Sequence, residues 1–226
     1  MIWDQTLTGL FQKGGFVMWP LLACSILGVA IILERAIYFG WLHINYERFS
    51  EGLRALLSKQ KMKEAVLLCQ KSPNPIPQIA EQYLKHVKQD VLRNDILKRE
   101  GSLALEKIEA RLRALAAITH IAPLLGLLGT VTGLVSAFHR IEVLGGQVQA
   151  ADLASGIWEA LITTVVGLLI AIPCMAAYHG FESMADKIAR RMQFIVSELD
   201  EFFGKSSAYN FKSDDIEETD QALQVM

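Results

Sequence analysis

Cysteine is scarce in this chain of 226 residues, and the three present, Cys24, Cys69 and Cys174, form an odd set without metal-type spacing. Two of them sit in apolar runs, so all three read as small buried hydrophobes rather than as a disulfide framework or a metal site. An excess of one charge is missing too. Twenty-two Lys and Arg face 24 Asp and Glu for a net charge of -2, and the cations lie among acids without interleaved aromatics, which argues against a nucleic-acid interface. Catalytic signatures are absent: there is no Gly-x-x-x-x-Gly-Lys, no His-Glu-x-x-His and no serine elbow. The glycine-rich run 126–133 follows no predicted strand and has no lysine after it, so neither a phosphate loop nor an enzyme is expected, nor any cofactor or metal. The N-terminus carries no basic leader or small-residue cleavage site, and is expected to be retained.

What is present is segregated. The composition is 52% hydrophobic and 20% charged, and mean hydropathy is +0.29. Apolar runs alternate with charged stretches, as in a membrane protein with a water-exposed part. The central run, Ala114 to Phe138, carries no Asp, Glu, Lys or Arg and is long enough to cross a bilayer as a helix. Within it Gly126, Thr130, Gly133 and Ala137 recur at helical spacing, and Gly129 and Gly133 make a Gly-x-x-x-Gly pair. Lipid gives helices no hydrophobic reason to associate, so this small-residue face, which follows Pro123, implies close contact with neighbouring helices.

The remaining organisation follows in chain order. Residues 1–15 place Trp3, Leu7, Leu10 and Phe11 on one side, as in a short helix lying on the outer membrane surface. A first spanning helix is predicted over 16–41, with Trp19 at its start and Tyr38 and Trp41 at its end suited to the two interfaces. Glu34 and Arg35 close its apolar run and are read as snorkelling to the headgroups in preference to an intramembrane ion pair. Residues 42–113 read as a cytoplasmic helical hairpin, broken at Ser72-Pro73-Asn74-Pro75-Ile76-Pro77 because proline cannot occupy a helix interior without cost. From about Asp95 the apolar positions Leu105, Ile108, Leu112 and Leu115 run into the second span, 114–138, as one helix of roughly 44 residues, about 66 Å. A short outer connection, 139–155, leads to a third span, 156–178. Phe181, Ile188, Ile195 and Phe202 then recur every seven residues, predicting an amphipathic cytoplasmic extension over 179–204. The tail, 205–226, reads as disordered. The fold class is therefore an all-α membrane protein with three transmembrane helices and long cytoplasmic helical extensions.

Orientation follows from the cations. The segment from Arg35 to Arg113 holds 15 Lys and Arg and the segment after Tyr178 holds 5, whereas Lys13 and Arg140 stand alone in the other two. The N-terminus and the connection are accordingly placed outside, the hairpin and C-terminus inside.

Polarity within the spans is sparse: Thr130 and Thr132 in the second, Glu159, Thr163 and Thr164 in the third. A carboxylate at mid-bilayer costs about 2.5–3.5 kcal/mol on insertion scales, so Glu159, near the outer end of its helix, should face a cavity or a partner. Thr163 shares its face, while Ala160, Thr164, Gly167 and Ala171 form a second, overlapping face of small residues. A membrane threonine can simply bond its own helix four residues back. Two of them beside a glutamate favour a polar path instead. Hydroxyls align water but do not hold a net proton near neutral pH. The spans hold no second acid between Glu159 and the inner interface, and His120, His139 and His179 sit towards helix ends. If protons cross here, a partner must supply the carboxylate.

At these residues the chain resembles the ExbB/TolQ branch of the MotA/TolQ/ExbB proton-channel family, ExbB more than TolQ. The resemblance is carried by Ala122-Pro123-Leu124-Leu125-Gly126-Leu127-Leu128-Gly129-Thr130-Val131-Thr132-Gly133. It is carried equally by Gly156-Ile157-Trp158-Glu159-Ala160-Leu161-Ile162-Thr163-Thr164-Val165-Val166-Gly167, which continues to Pro173. Gly14-Gly15-Phe16-Val17-Met18-Trp19-Pro20 and Ile32-Leu33-Glu34-Arg35 extend it, so that it covers roughly residues 9–203, weakly within the hairpin. The resemblance implies a homopentamer in the bacterial inner membrane around a single-span ExbD- or TolR-like dimer that carries the membrane aspartate, with a TonB- or TolA-like protein beyond. It implies that Thr130 and Thr164 line the pore near Glu159, with Thr163 at a position where relatives commonly carry small apolar residues. The competing reading is a non-conducting membrane scaffold. A self-contained transporter is disfavoured, because three spans offer no internal repeat.

Overall fold

The computed structural model describes residues 14–143 and 150–204, except the side chains of Ala150, Ala151, Asp152, Leu153, Ser155 and Glu159. The surface helix expected over 1–15, most of the connection after Val143, and the tail from 205 therefore lie outside the described residues. Six helices make up the described fold, with no strand among the described residues: α1 Met18–Trp41, α2 Tyr46–Ser58, α3 Met62–Gln70, α4 Pro75–Lys85, α5 Asp90–Val143 and α6 Ala150–Phe202. Three of them, α1, α5 and α6, contain stretches long and apolar enough to cross a membrane. The chain divides into two compact units, Met1–Arg35 with Arg111–Gly180, and Ala36–Ala110 with Phe181–Met226.

The first unit holds the apolar stretches. Its interior is small: Val17, Met18, Leu21, Ala122 and Ala171 form the buried cluster, with Leu125, Val166 and Ile170 against it. Large side chains turn outward instead, among them Ile26, Leu33, Leu124, Val131, Val135, Leu161, Leu169 and Ile172. In water such a surface would carry a heavy hydrophobic penalty, whereas in lipid it carries none.

The second unit is built as a water-soluble helical domain. Phe49, Leu53 and Leu57 of α2, Ala65 and Cys69 of α3, and Ile76, Ile79, Ala80 and Tyr83 of α4 bury themselves against Leu97 and Leu105 of α5 and Ala189, Met192, Ile195, Val196 and Leu199 of α6. The proline-rich segment becomes a helix start. Pro75 and Pro77 fall in the first turn of α4, where a missing N–H is harmless, and the Asn74 side chain caps the helix by accepting from the Ile76 N–H at 2.8 Å. The Asn74 amide also donates to the Leu42 carbonyl at 2.5 Å, which ties the start of the α1–α2 connection to α4.

The segment before that is split once more than its periodicity predicts. α2 ends at Ser58, and Gln60 takes a left-handed φ of 58°. Lys61 N–H then bonds the Leu56 carbonyl at 3.0 Å and Gln60 N–H the Leu57 carbonyl at 2.9 Å, the two bonds of a Schellman C-cap. α5 begins at Asp90, five residues before the expected start, and is 54 residues long.

Carboxylates on the last turns of α6 fasten the unit. Glu198 accepts from the Tyr46 hydroxyl at 2.9 Å and from the Ser50 hydroxyl. Asp200, buried, accepts from the Tyr83 hydroxyl at 2.6 Å and lies 3.5 Å from the Arg93 guanidinium, which itself sits 4.6 Å above the Tyr83 ring.

Candidate functional site

The seam between α5 and α6 is the most tightly restricted place in the first unit, and glycine makes it possible. A Cβ added at Gly126 would lie 2.9 Å from the Thr164 Cα and 3.0 Å from the Thr163 carbonyl oxygen. At Gly133 it would meet the Ala160 Cβ at 3.0 Å, at Gly156 the Ala137 Cβ at 2.7 Å, and at Gly167 the Ala122 carbonyl oxygen at 2.6 Å. At Gly129 it would overlap the Thr163 side chain. The two helices thus run antiparallel with their backbones almost touching, and the small-residue face of α5 is matched by that of α6 within one chain.

Threonines occupy this seam. Thr163 is completely enclosed, and its hydroxyl donates to the Ala160 carbonyl at 2.7 Å and reaches the Gly126 carbonyl at 3.2 Å. Thr164, half-buried, donates across the seam to that same Gly126 carbonyl at 3.0 Å. Thr130, one turn after Gly126 and also half-buried, donates to the Leu127 carbonyl of its own helix at 2.7 Å. Thr132 turns elsewhere, donating to Leu128 at 3.0 Å and Gly129 at 3.1 Å. Position 159 lies one turn from Thr163 and Thr164 on α6, but the Glu159 side chain lies outside the described ones. Gly126, Thr163 and Thr164 therefore come together, whereas the Thr130 and Thr132 hydroxyls bond within α5.

Pro123 lies inside α5 and Pro173 inside α6. Each removes one backbone donor, so the Thr119 and Leu169 carbonyls lose their usual helical partners. Thr119 is itself buried and donates to Ala116 at 2.7 Å. Hydroxyls and carbonyls of this kind can orient water and accept a hydrogen bond from a protonated group, but take up no net proton near neutral pH.

At the other end of the apolar stretch, Glu34 does not simply reach for solvent. It accepts from Arg35 at 2.7 and 2.9 Å and from Arg111 of α5 at 2.5 Å, while the Arg35 side chain is buried. This ionic clamp between α1 and α5 escaped the sequence reading because Arg111 lies 77 positions away in a charged stretch with no local signal. Among the described residues no group of His, Cys, Asp and Glu could hold a metal, and Cys24, Cys69 and Cys174 are free thiols.

An all-helical protein with three membrane-length helices, two joined through a glycine-and-threonine seam, belongs to the class of polytopic membrane proteins whose helices approach backbone to backbone. Residues 71–194, more than half of the chain, match the profile of the MotA/TolQ/ExbB proton channel family. An ExbB-like protein of Synechocystis is 32% identical over 198 residues, 84% of this chain and 76% of that protein. The biopolymer transport protein exbB1 of Vibrio cholerae is 31% identical over 193 residues, 84% of this chain and 85% of its own. The Tol-Pal system protein TolQ of Pseudomonas aeruginosa is 38% identical over 94 residues, 42% of this chain and 40% of its own. The chain belongs to the MotA/TolQ/ExbB proton-channel family, in its ExbB/TolQ branch.

Proposed function

We propose that this protein is the channel-forming subunit of a proton-driven energy transducer in the bacterial inner membrane. Five copies surround a single-span ExbD- or TolR-like dimer, with the N-terminus outside and the second unit in the cytoplasm. The partner's membrane aspartate takes up the proton, and a TonB- or TolA-like protein passes the resulting motion to the outer membrane or envelope. The observation that carries this reading is the Thr164–Gly126 bond across one tight seam, with Thr130 one turn along α5, while the spans supply no second acid between Glu159 and the inner interface to complete a relay. Relatives named for biopolymer transport and for the Tol-Pal system support the same assignment.

Water near Glu159 and the two threonines would lead protons from outside to the partner's aspartate, whose neutralisation frees the partner to move against the ring. One charge crossing 100 mV releases about 2.3 kcal/mol, so several protons must pass for substantial work. Native mass spectrometry of the chain co-expressed with its single-span partner tests this directly. A five-to-two complex whose proton flux is lost when the partner's aspartate becomes asparagine is the expected result, and undiminished flux would overturn the proposal.

A second reading, a non-conducting scaffold, is favoured by a different observation: Thr119, Thr130, Thr132, Thr163 and Thr164 all donate to backbone carbonyls, as purely structural threonines would. The two readings part on whether hydroxyl-deleting variants that still assemble lose proton flux.

A further inference from the structure

A cavity of about 920 Å³ opens in the second unit where α1 ends. One end is apolar, formed by Phe39 and Phe181, whose rings stack with centroids 5.5 Å apart, together with Gly40 and Met184. The other end carries Lys187 and Arg191, one helical turn apart on α6, with His43 from the α1–α2 connection. Glu47 is the one carboxylate on the wall, beside the Asn45-capped N-terminus of α2, whose helix dipole adds partial positive charge. An apolar floor leading to a cationic rim matches an amphiphile that carries an anionic head.

Position along α6 narrows this further. Phe181 is level with Phe39, which lies between Tyr38 and Trp41, the aromatics expected to mark the interface at the end of the first span. Lys187 follows six residues later, a rise of about 9 Å. The headgroup layer on one side of a bilayer is roughly 5–7 Å thick. A flexible lysine stem pointing back therefore brings its ammonium to the phosphates, whereas Arg191, another turn away and lying 5.4 Å over the Tyr46 ring, stands beyond them.

From this we infer that the cavity is a binding site for one acidic phospholipid. An acyl chain runs along Phe39, Gly40 and Phe181, and the phosphate is held by Lys187 and His43. Arg191 forms the far wall and reaches only a headgroup that extends further. The inference requires that the chain sits in a bilayer and is independent of whether it conducts protons.

The test uses the full chain, delipidated in detergent and then offered vesicles of phosphatidylglycerol or of phosphatidylcholine, with retained lipid counted by native mass spectrometry. Selective retention of phosphatidylglycerol is expected. Lys187→Glu should weaken it by about fivefold or more, the effect of one lost cationic contact near a membrane surface. Lys187→Gln, which keeps the length and loses the charge, should behave similarly and serves if the glutamate variant folds poorly. Equal retention of the two lipids, or wild-type retention in the Lys187 variants, would overturn the assignment. So would inorganic phosphate displacing phosphatidylglycerol at equal concentration, since the cavity would then be a site for free anions.

Discussion

Thr164 gives its hydroxyl proton to the Gly126 carbonyl of the neighbouring helix at 3.0 Å, whereas the hydroxyls of Thr119, Thr130 and Thr132 bond carbonyls of their own helix. A donor fixed across the seam leaves the Thr164 oxygen with its lone pairs as an acceptor. Under the proton-channel proposal, Thr164→Val should cut proton flux through the reconstituted complex by at least about tenfold, and Thr164→Ser, which keeps the hydroxyl, should retain most of it. Thr132→Val should leave flux unchanged, because Thr132 lies on another face of α5. Flux normalised to assembled complex decides the matter, and equal losses at Thr132 and Thr164 would point to general damage.

Gly126 and Gly167 have no room for a methyl group, since the atoms they would strike are the Thr164 Cα and the Ala122 carbonyl oxygen, both backbone. Backbone cannot swing aside as a side-chain tip can. Gly126→Ala and Gly167→Ala should each destabilise the chain by about 1–3 kcal/mol, the usual cost of overpacking, with a visible loss of thermal stability in detergent. Gly180→Ala provides the control: a Cβ there meets nothing within 4 Å, so helix propensity alone should raise stability by about 0.5–1 kcal/mol.

These contacts also mark how far the sequence could be read. Three apolar stretches and a small-residue face on α5 were legible because each is a local pattern of known period. That the face meets α6 of the same chain, with Gly129 seated on Thr163, was not, since a stripe of small residues shows only that something approaches. The seven-residue recurrence on the extension of α6 was a partial guide. Ile195 is buried, but Phe202 is exposed, and the residues that fill the core are Ala185, Ala189, Met192, Val196 and Leu199. A straight helix of 3.6 residues per turn drifts away from a strict repeat of seven, so the repeat leaves the core within a few turns. The Glu34–Arg111 pair and the Asp200–Tyr83 bond join residues far apart in sequence, and only the folded chain reveals them.

Gln60 offers a stabilising change. It holds the left-handed position of a Schellman cap, with φ of 58°, where a side chain clashes with the following carbonyl. Gln60→Gly relieves that clash at the cost of a more flexible unfolded chain, for a net gain of about 0.5–1 kcal/mol. A rise in the unfolding midpoint of the second unit, followed by circular dichroism of the full chain, is the expected outcome. A fall would mean that the Gln60 side chain contributes more than its backbone strain removes.

Stability of the second unit should fall in alkali. Burial pushes the Cys69 thiol up to about 12, with the Glu81 carboxylate adding to the effect, and burial followed by the hydrogen bond to Asp200 raises the Tyr83 phenol above its usual range. Both groups are neutral when protonated, and both hold their protons more tightly folded than unfolded. Their contribution is therefore complete below the unfolded values of about 8.5 for cysteine and about 10 for tyrosine, and is lost as pH rises through the folded ones. Thermal melts of the wild type should decline progressively above pH ~9, Cys69→Ala should flatten the first part of that decline, and Tyr83→Phe the later part. At neutral pH Tyr83→Phe should cost about 1–3 kcal/mol, because buried Asp200 loses its 2.6 Å donor and keeps Arg93 at 3.5 Å. A wild-type melting curve that stays level to pH ~11 would show that neither proton is linked to folding.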